Sequence, residues 1–436
     1  MVVFSMTGSD RCCGTGTEHE SSRRGFMAGC GAAIALALAG GTGTVGGQEE
    51  YKPIGDLLEI VEEENWGRWG EDDELGAINL LGSEEMFAGL TAAKKRGRKR
   101  VERFTLQTPI TGEAFDAFFD DGVEFPTTDT GDPLFPGRTP ARRDNVADVE
   151  DPIPTPNGVL FADDRFETPF YLQGTTHYDA LGHAWYDGTL YNGFDAGTTR
   201  TRRAFDIEVE GVTETFGLGK ADVGNVADSG VAGRGVLLDV GRYEVDEAPY
   251  RLDLGEEITL EDLEATADAQ NVDLRKRDIL LVRTGALERA RDPEAEWAPL
   301  NEPGLTYSDD LVRWFRDMEF PVVGADNLGV EKASQEVTED DLDDGRTDLR
   351  GTYLFPLHGA LLRNLGVTIN EILDLSDLAT QCAADGIYEF LYTAGPLNVE
   401  QGAGTPVNPV ILKASGGNEG GQAPGRSGND RGCKGR

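Results

Sequence analysis

Two of the chain's four histidines, His177 and His183, fall in one short stretch, Gln173-Gly174-Thr175-Thr176-His177-Tyr178-Asp179-Ala180-Leu181-Gly182-His183. His177 and Asp179 are two residues apart, so an extended backbone projects both from one face. Gln173 shares their parity if the extension runs back through Gly174. An imidazole and a carboxylate converging from one strand edge suit a divalent ion such as Zn²⁺ or Mn²⁺. A hydrogen-bonded polar turn with satisfied histidines uses the same residues. Thr175 and Thr176 are placed to steady ligands by hydrogen bonds from behind, and His183 lies close enough to reach a water on the ion. A second patch runs over residues 356–371, with His358 opening a short helix, Gly366 stopping it, and a strand ending on Glu371. Such a turn can bring His358 and Glu371 to one point. A solvated strand end is the plainer reading of Glu371. His19 lies apart, near the N-terminus.

These groups need a scaffold, and the hydrophobic pattern supplies one. Residues 235–240 form an apolar run bounded by glycine, as a buried strand does. Thr259 and Asp262 make a capping box that opens a helix to about Asn271. Residues 278–283 are a second buried strand, Ser308 caps a helix to about Met318, and residues 321–326 are a third strand. Strand alternating with helix predicts an α/β layer. Residues 111–164 are rich in Pro, Gly and Asp, with little periodicity. That region and the acidic stretch 332–351 are expected to be long functional loops. Trp185, Tyr186, Tyr191 and Phe194 follow the first motif and suit either an aromatic pocket wall or ordinary core.

The chain has 436 residues, 39% of them hydrophobic, enough for a sizeable core. Acids outnumber bases 79 to 40, for a net charge of −39. That balance excludes nucleic acid and anionic membrane surfaces as partners, since both need a basic footprint. Spread along the whole chain, the acids suit a high-salt habitat that screens their repulsion. Ser22-Arg23-Arg24-Gly25-Phe26-Met27 reads as a twin-arginine export motif. The apolar stretch that follows is too short to span a bilayer, and small residues near Ala39 suit cleavage. Residues 1–49 are therefore expected to be signal and linker. Residues 50–413 form one catalytic domain, and residues 414–436 a disordered Gly-rich tail. The mature product is expected to be secreted or at the cell surface, with no stable membrane anchor. Cys12, Cys13 and Cys30 go with the signal. Cys382 and Cys433 make neither a disulfide framework nor a thiolate metal site, and Cys382 is expected to be a buried, inert thiol.

Several separated blocks, in order, resemble the cyclase family of metal-dependent hydrolases, which includes kynurenine formamidase and isatin hydrolase. Asn65-Trp66-Gly67-Arg68-Trp69-Gly70 with Asp73, Gly76 and Asn79 is similar to the family's N-terminal signature. Residues 174–183 are similar to its metal motif. Residues 234–239, 283–285, 324–326, 393–397 and 402–407 are similar to its core strands. The resemblance implies a swivelling β/β/α fold and a homo-oligomer. It also implies one or two divalent ions, zinc or manganese, held by His177, Asp179, His358 and Glu371, with Gln173 where the family has its first histidine ligand. His183 is similar to the catalytic acid/base. Leu181 replaces the usual proline, and an amide oxygen at Gln173 favours a harder ion such as Mn²⁺. The implied activity is arylformamidase-like hydrolysis of an N-acyl amide by metal-activated water. A cyclic amide or lactone is the alternative substrate, and a non-catalytic metal or small-molecule binder is the rival outside enzymes.

Overall fold

The computed structural model describes residues 51–61, 65–94, 100–110, 112, 141–151 and 153–415. The expected signal over residues 1–49 and the Gly-rich tail beyond Ser415 lie outside the described residues. Nine strands form one sheet: β1 (Arg100–Thr105), β2 (His177–Asp179), β3 (Val231–Asp239), β4 (Ile279–Arg283), β5 (Val322–Ala325), β6 (Thr368–Glu371), β7 (Glu389–Ala394), β8 (Gly404–Pro406) and β9 (Val410–Ser415). Their order is β1-β9-β7-β3-β4-β5-β6-β2-β8. Strands β3 to β6 run parallel, and the flanking pairs are antiparallel. The predicted α/β layer is thus a mixed sheet whose parallel centre carries the strands anticipated from apolar runs.

Alternation along those strands sorts the core onto two faces, as a period of two requires. Val236, Leu238, Leu280, Val282 and Val323 point to one side, and Leu237, Ile279, Leu281 and Val322 to the other. Four longer helices cover the sheet: α1 (Ser83–Ala93), α2 (Leu260–Gln270), α3 (Asp309–Met318) and α4 (Ser376–Asp385). Both anticipated caps are present. Thr259 and Asp262 close a reciprocal box on α2, and the Ser308 hydroxyl accepts from Leu311 N at 3.1 Å on α3. Helix α3 buries Leu311, Val312 and Phe315 completely, each worth about 1.5–3 kcal/mol. Helix α4 packs Leu378, Ala379 and Cys382 on the opposite face, and burial pushes the Cys382 thiol pKa up, as an inert thiol should behave.

Three local expectations need revision. The stretch before β2 is not extended, because Gly174 N turns back to Tyr171 O at 2.9 Å. The described part of the loop 111–164 carries a strand pair, Arg143–Ala147 with Asp163–Phe166. The acidic loop 332–351 opens a hairpin in which Ser334–Val337 pairs with Gly351–Leu354. Alternation too short to stand out against acidic side chains hid both. Among the described residues, no helix is long and apolar enough to cross a membrane.

Candidate metal centre

Register places the first three groups. In β2, His177 and Asp179 share a face, and Glu371 on β6 stands directly opposite His177. The His177 Nε2 atom lies 3.1 Å from Glu371 Oε2 and 3.4 Å from Asp179 Oδ1. His358 arrives from a different element, a short helical turn Pro356–His358 that continues as a π-helix, Gly359–Leu365. Its Nε2 lies 3.4 Å from Glu371 Oε1 and 3.9 Å from Asp179 Oδ2. Gly366, in the left-handed region at φ +64, ends that helix. The chain thereby returns into β6 as expected, although a π-helix was not foreseen.

Each imidazole is aimed by its other nitrogen. His177 Nδ1 donates to Thr175 O at 2.7 Å, and His358 Nδ1 donates to Glu331 Oε1 at 2.7 Å. Both Nε2 atoms are left facing the carboxylates. The threonines act one step back. The Thr176 hydroxyl donates to Ile372 O at 2.6 Å and accepts from Thr108 N at 2.9 Å, stitching the start of β2 to the end of β6. Gln173 reaches the cluster from the turn, and its amide nitrogen donates to Asp179 Oδ1 at 2.5 Å. The structure therefore presents a donor from Gln173 rather than the anticipated amide oxygen. His183 sits at the rim, its side chain 28% exposed and its Nε2 3.9 Å from Asp179 Oδ2.

The chemistry of this donor set fits a divalent ion. His177 Nε2, Asp179 Oδ2 and Glu371 Oε1 are buried and have no hydrogen-bond partner. Orphaned polar atoms are costly unless something binds them. Two triads have donor atoms mutually within 4.8 Å, His177–Asp179–Glu371 and Asp179–His183–His358. Burial favours neutral His177, but the close carboxylates of Asp179 and Glu371 outweigh it and raise its pKa to about 9. Burial likewise opposes the charged form of His358, yet Glu331 and Glu371 hold its pKa well above the ordinary value. Against burial, Asp179 is held below its usual value by His183 first and by His177 and His358, and Glu371 by His177 and His358. Protons thus balance the carboxylates in the ion-free chain, and a divalent cation would replace them.

The cluster opens into a cavity of about 560 Å³, the size of a small-ligand site. Tyr51, Trp185, Tyr186, Leu328, Tyr353 and Phe355 wall it, with His183, His358 and Glu371 also lining it. Of the aromatics expected here, Trp185 and Tyr186 do line the pocket, whereas Tyr191 is buried and donates to Asp73 Oδ2 at 2.9 Å. The N-terminal signature supports the wall. Trp66 Nε1 donates to Arg363 O and Asn65 Nδ2 to Leu365 O, both at 2.9 Å, tying down the π-helix. The Arg363 guanidinium stacks 3.8 Å from the Tyr186 ring centre, and the Tyr186 hydroxyl donates to Asn364 Oδ1 at 2.9 Å. The blocks 283–285 and 324–326 make the following ties. Arg283 pairs with Asp239 at 2.7 Å, while Asp326 accepts from Thr284 and Gly285, so they lock strand ends. Glu331 escaped sequence reasoning, since a lone glutamate in a chain with 79 acidic residues carries no signal of its own.

Comparisons with known proteins agree with this architecture. The family model Cyclase, described as "Putative cyclase", matches residues 103–332. A crystal structure of a novel cyclase is 31% identical, with the match covering 84% of this chain and 100% of that one at a TM-score of 0.59. Isatin hydrolase A from Labrenzia aggregata, bound to benzyl benzoate, is 14% identical over 72% of this chain and 94% of its own, at a TM-score of 0.41. Isatin hydrolase A from Ralstonia solanacearum is 16% identical over 75% and 97%, at 0.43. No curated protein matches the chain. On the family model and the 31% identical structure, the chain belongs to the cyclase family.

Proposed function

We propose that the protein hydrolyses an N-acyl amide borne on an aromatic group, in the manner of an arylformamidase. The observation that carries this reading is the set of buried, unpartnered donor atoms on His177, Asp179 and Glu371, next to an aromatic-walled cavity. His177, Asp179, His358 and Glu371 would hold the ion. A divalent cation supplies two things to such a site, acidification of water and polarisation of a carbonyl oxygen.

The chain's own groups do the rest. Trp185, Tyr186, Tyr353 and Phe355 offer faces against which an aryl ring stacks. His183, at the rim and outside the buried His177–Asp179–Glu371 triad, takes a proton from the attacking water on a ring nitrogen. It delivers that proton to the departing nitrogen as the C–N bond breaks, which leaves a carboxylic acid and an amine. The Asp179 carboxylate, 3.9 Å away, stabilises the imidazolium in between. In the same proposal the enzyme works outside the cytoplasm, since residues 22–27 supply a twin-arginine motif.

The test is turnover of aryl formamides beside an isatin-type lactam and an aryl lactone, with Zn²⁺ or Mn²⁺ added to chelator-treated protein. Metal-dependent cleavage of the linear amides is expected to lead. Preference for the lactam would move the assignment to cyclic amides, and no turnover of any substrate with metal bound would leave a binding protein.

A further inference from the structure

Glu331 is only 4% exposed, and its two oxygens collect four hydrogen bonds. Oε1 accepts from His358 N at 2.6 Å and from His358 Nδ1 at 2.7 Å. Oε2 accepts from Leu357 N at 2.8 Å and from Gln335 Nε2 at 2.6 Å. The helical turn that carries His358 begins with Pro356, which has no N–H, so Glu331 takes both of the next two amides and one imidazole nitrogen of the same turn. The backbone that delivers it is strained. Val330, a β-branched residue, sits at φ +58, in the left-handed region. Such a conformation costs about 1–3 kcal/mol and persists where surrounding contacts over-determine it. Here Leu305 N donates to Val330 O at 3.1 Å and Asn327 Nδ2 to the same oxygen at 3.3 Å. Two further left-handed residues flank the centre, Phe355 at φ +49 just ahead of the His358 turn and Ile372 at φ +58 directly after Glu371.

We infer that Glu331 is the positioning residue of the metal centre: its carboxylate fixes both the backbone and the ring of His358 so that Nε2 alone faces Asp179 and Glu371. The inference rests on the reading that His358 is a metal ligand. His177 offers the contrast on the same page, because its Nδ1 meets a neutral carbonyl, that of Thr175. A charged acceptor makes a stronger hydrogen bond than a neutral one. It also increases the electron density that the opposite nitrogen offers to a cation. A ligand borne on a three-residue turn needs that second tie, whereas a ligand in a paired strand is held by its ladder.

The experiment compares wild type with Glu331→Gln, which keeps the shape and loses the charge. Zn²⁺ and Mn²⁺ affinities are measured by chelator competition at fixed pH and salt, and the histidine ¹⁵N spectrum is recorded with and without Zn²⁺. Loss of an outer hydrogen-bond partner of a ligating histidine costs roughly 10–100-fold in metal affinity, and that range is expected for both ions. In wild type, His358 should keep a proton on Nδ1 and bind Zn²⁺ through Nε2. A merely structural role would shift the melting temperature and leave the ligating nitrogen as it is. Unchanged affinity in folded Glu331→Gln protein would overturn the inference while sparing the hydrolase reading. Ligation of wild-type His358 through Nδ1 would overturn it even if the variant does not fold. Wild type that takes up neither metal would bring down the metal-centre reading itself.

Discussion

Replacing His183 with alanine separates proton transfer from metal binding. The side chain is 28% exposed and stands 3.9 Å from Asp179 Oδ2, whereas His177 and His358 bring Nε2 to 3.1 and 3.4 Å from Glu371. His177, Asp179, His358 and Glu371 remain in the variant, and three protein donors with one position left for water suffice for a catalytic Zn²⁺. Metal content should therefore stay near that of wild type. A positioned acid/base contributes ~10²–10⁴-fold, so the barrier should rise by about 2.7–5.4 kcal/mol at 1.36 kcal/mol per tenfold. Truncating a part-exposed ring should cost stability by less than about 1 kcal/mol. The assay is initial rate on an aryl formamide, with metal per chain counted on the same sample and a melt to show folding. Full turnover would refute proton transfer by His183. Metal lost in parallel with activity would instead make His183 a ligand, through the triad Asp179–His183–His358.

Gln173→His should tighten Zn²⁺ relative to Mn²⁺, because an imidazole lone pair would replace the amide N–H now 2.5 Å from Asp179; an unchanged ratio in a competition titration would place position 173 outside the ligand set. Burial pushes Glu302 up to about 8 from an ordinary 4.5. The folded state keeps that proton while the unfolded chain loses it, so stability should fall as pH rises between those values and level off above them. Glu302→Gln should flatten that slope in urea unfolding of the metal-free protein, and an unaltered slope would refute the assignment. With a net charge of −39, melting temperature should climb with KCl as repulsion is screened, and a flat or falling melting temperature would count against self-repulsion as a limit on stability.

What the sequence disclosed about the fold followed from periodicity and caps. The apolar runs at 235–240, 278–283 and 321–326 became β3, β4 and β5, because strands buried on both faces leave long hydrophobic signatures. The caps at Thr259 and Ser308 are local hydrogen-bond chemistry, so they too were readable. Periodicity was silent on β2 and β8, which span only His177–Asp179 and Gly404–Pro406, too short to show alternation; residues 393–397 and 402–407 entered as core strands by the resemblance alone. At the centre, the spacing of His177 and Asp179 was informative because a strand turns it directly into a shared face. Gln173 could not be placed by parity, because the turn at Gly174 breaks the extension. Glu331 and the walls Tyr51, Leu328 and Phe355 come from distant segments, and only the tertiary fold brings them to the cavity.

The geometry also explains why a neutral amide can stand beside this cluster. Asp179 is wholly buried and divides its two oxygens. Oδ1 receives the Gln173 amide and faces His177 Nε2, whereas Oδ2 has no hydrogen-bond partner. A donor on one oxygen orients the carboxylate and leaves the other lone pairs for a cation. An imidazole at the same position would serve a metal only by turning a lone pair inward, and it would then leave Oδ1 without that donor. Gln173 thus supplies an orienting hydrogen bond, and His183, beside the same amide at 3.2 Å, shares its neighbourhood. In the proposed centre, metal affinity would then rest on the imidazoles aimed by Thr175 and Glu331 and on the carboxylates of Asp179 and Glu371, both of which approach His177. That is the arrangement in which a loss at Glu331 should be felt most.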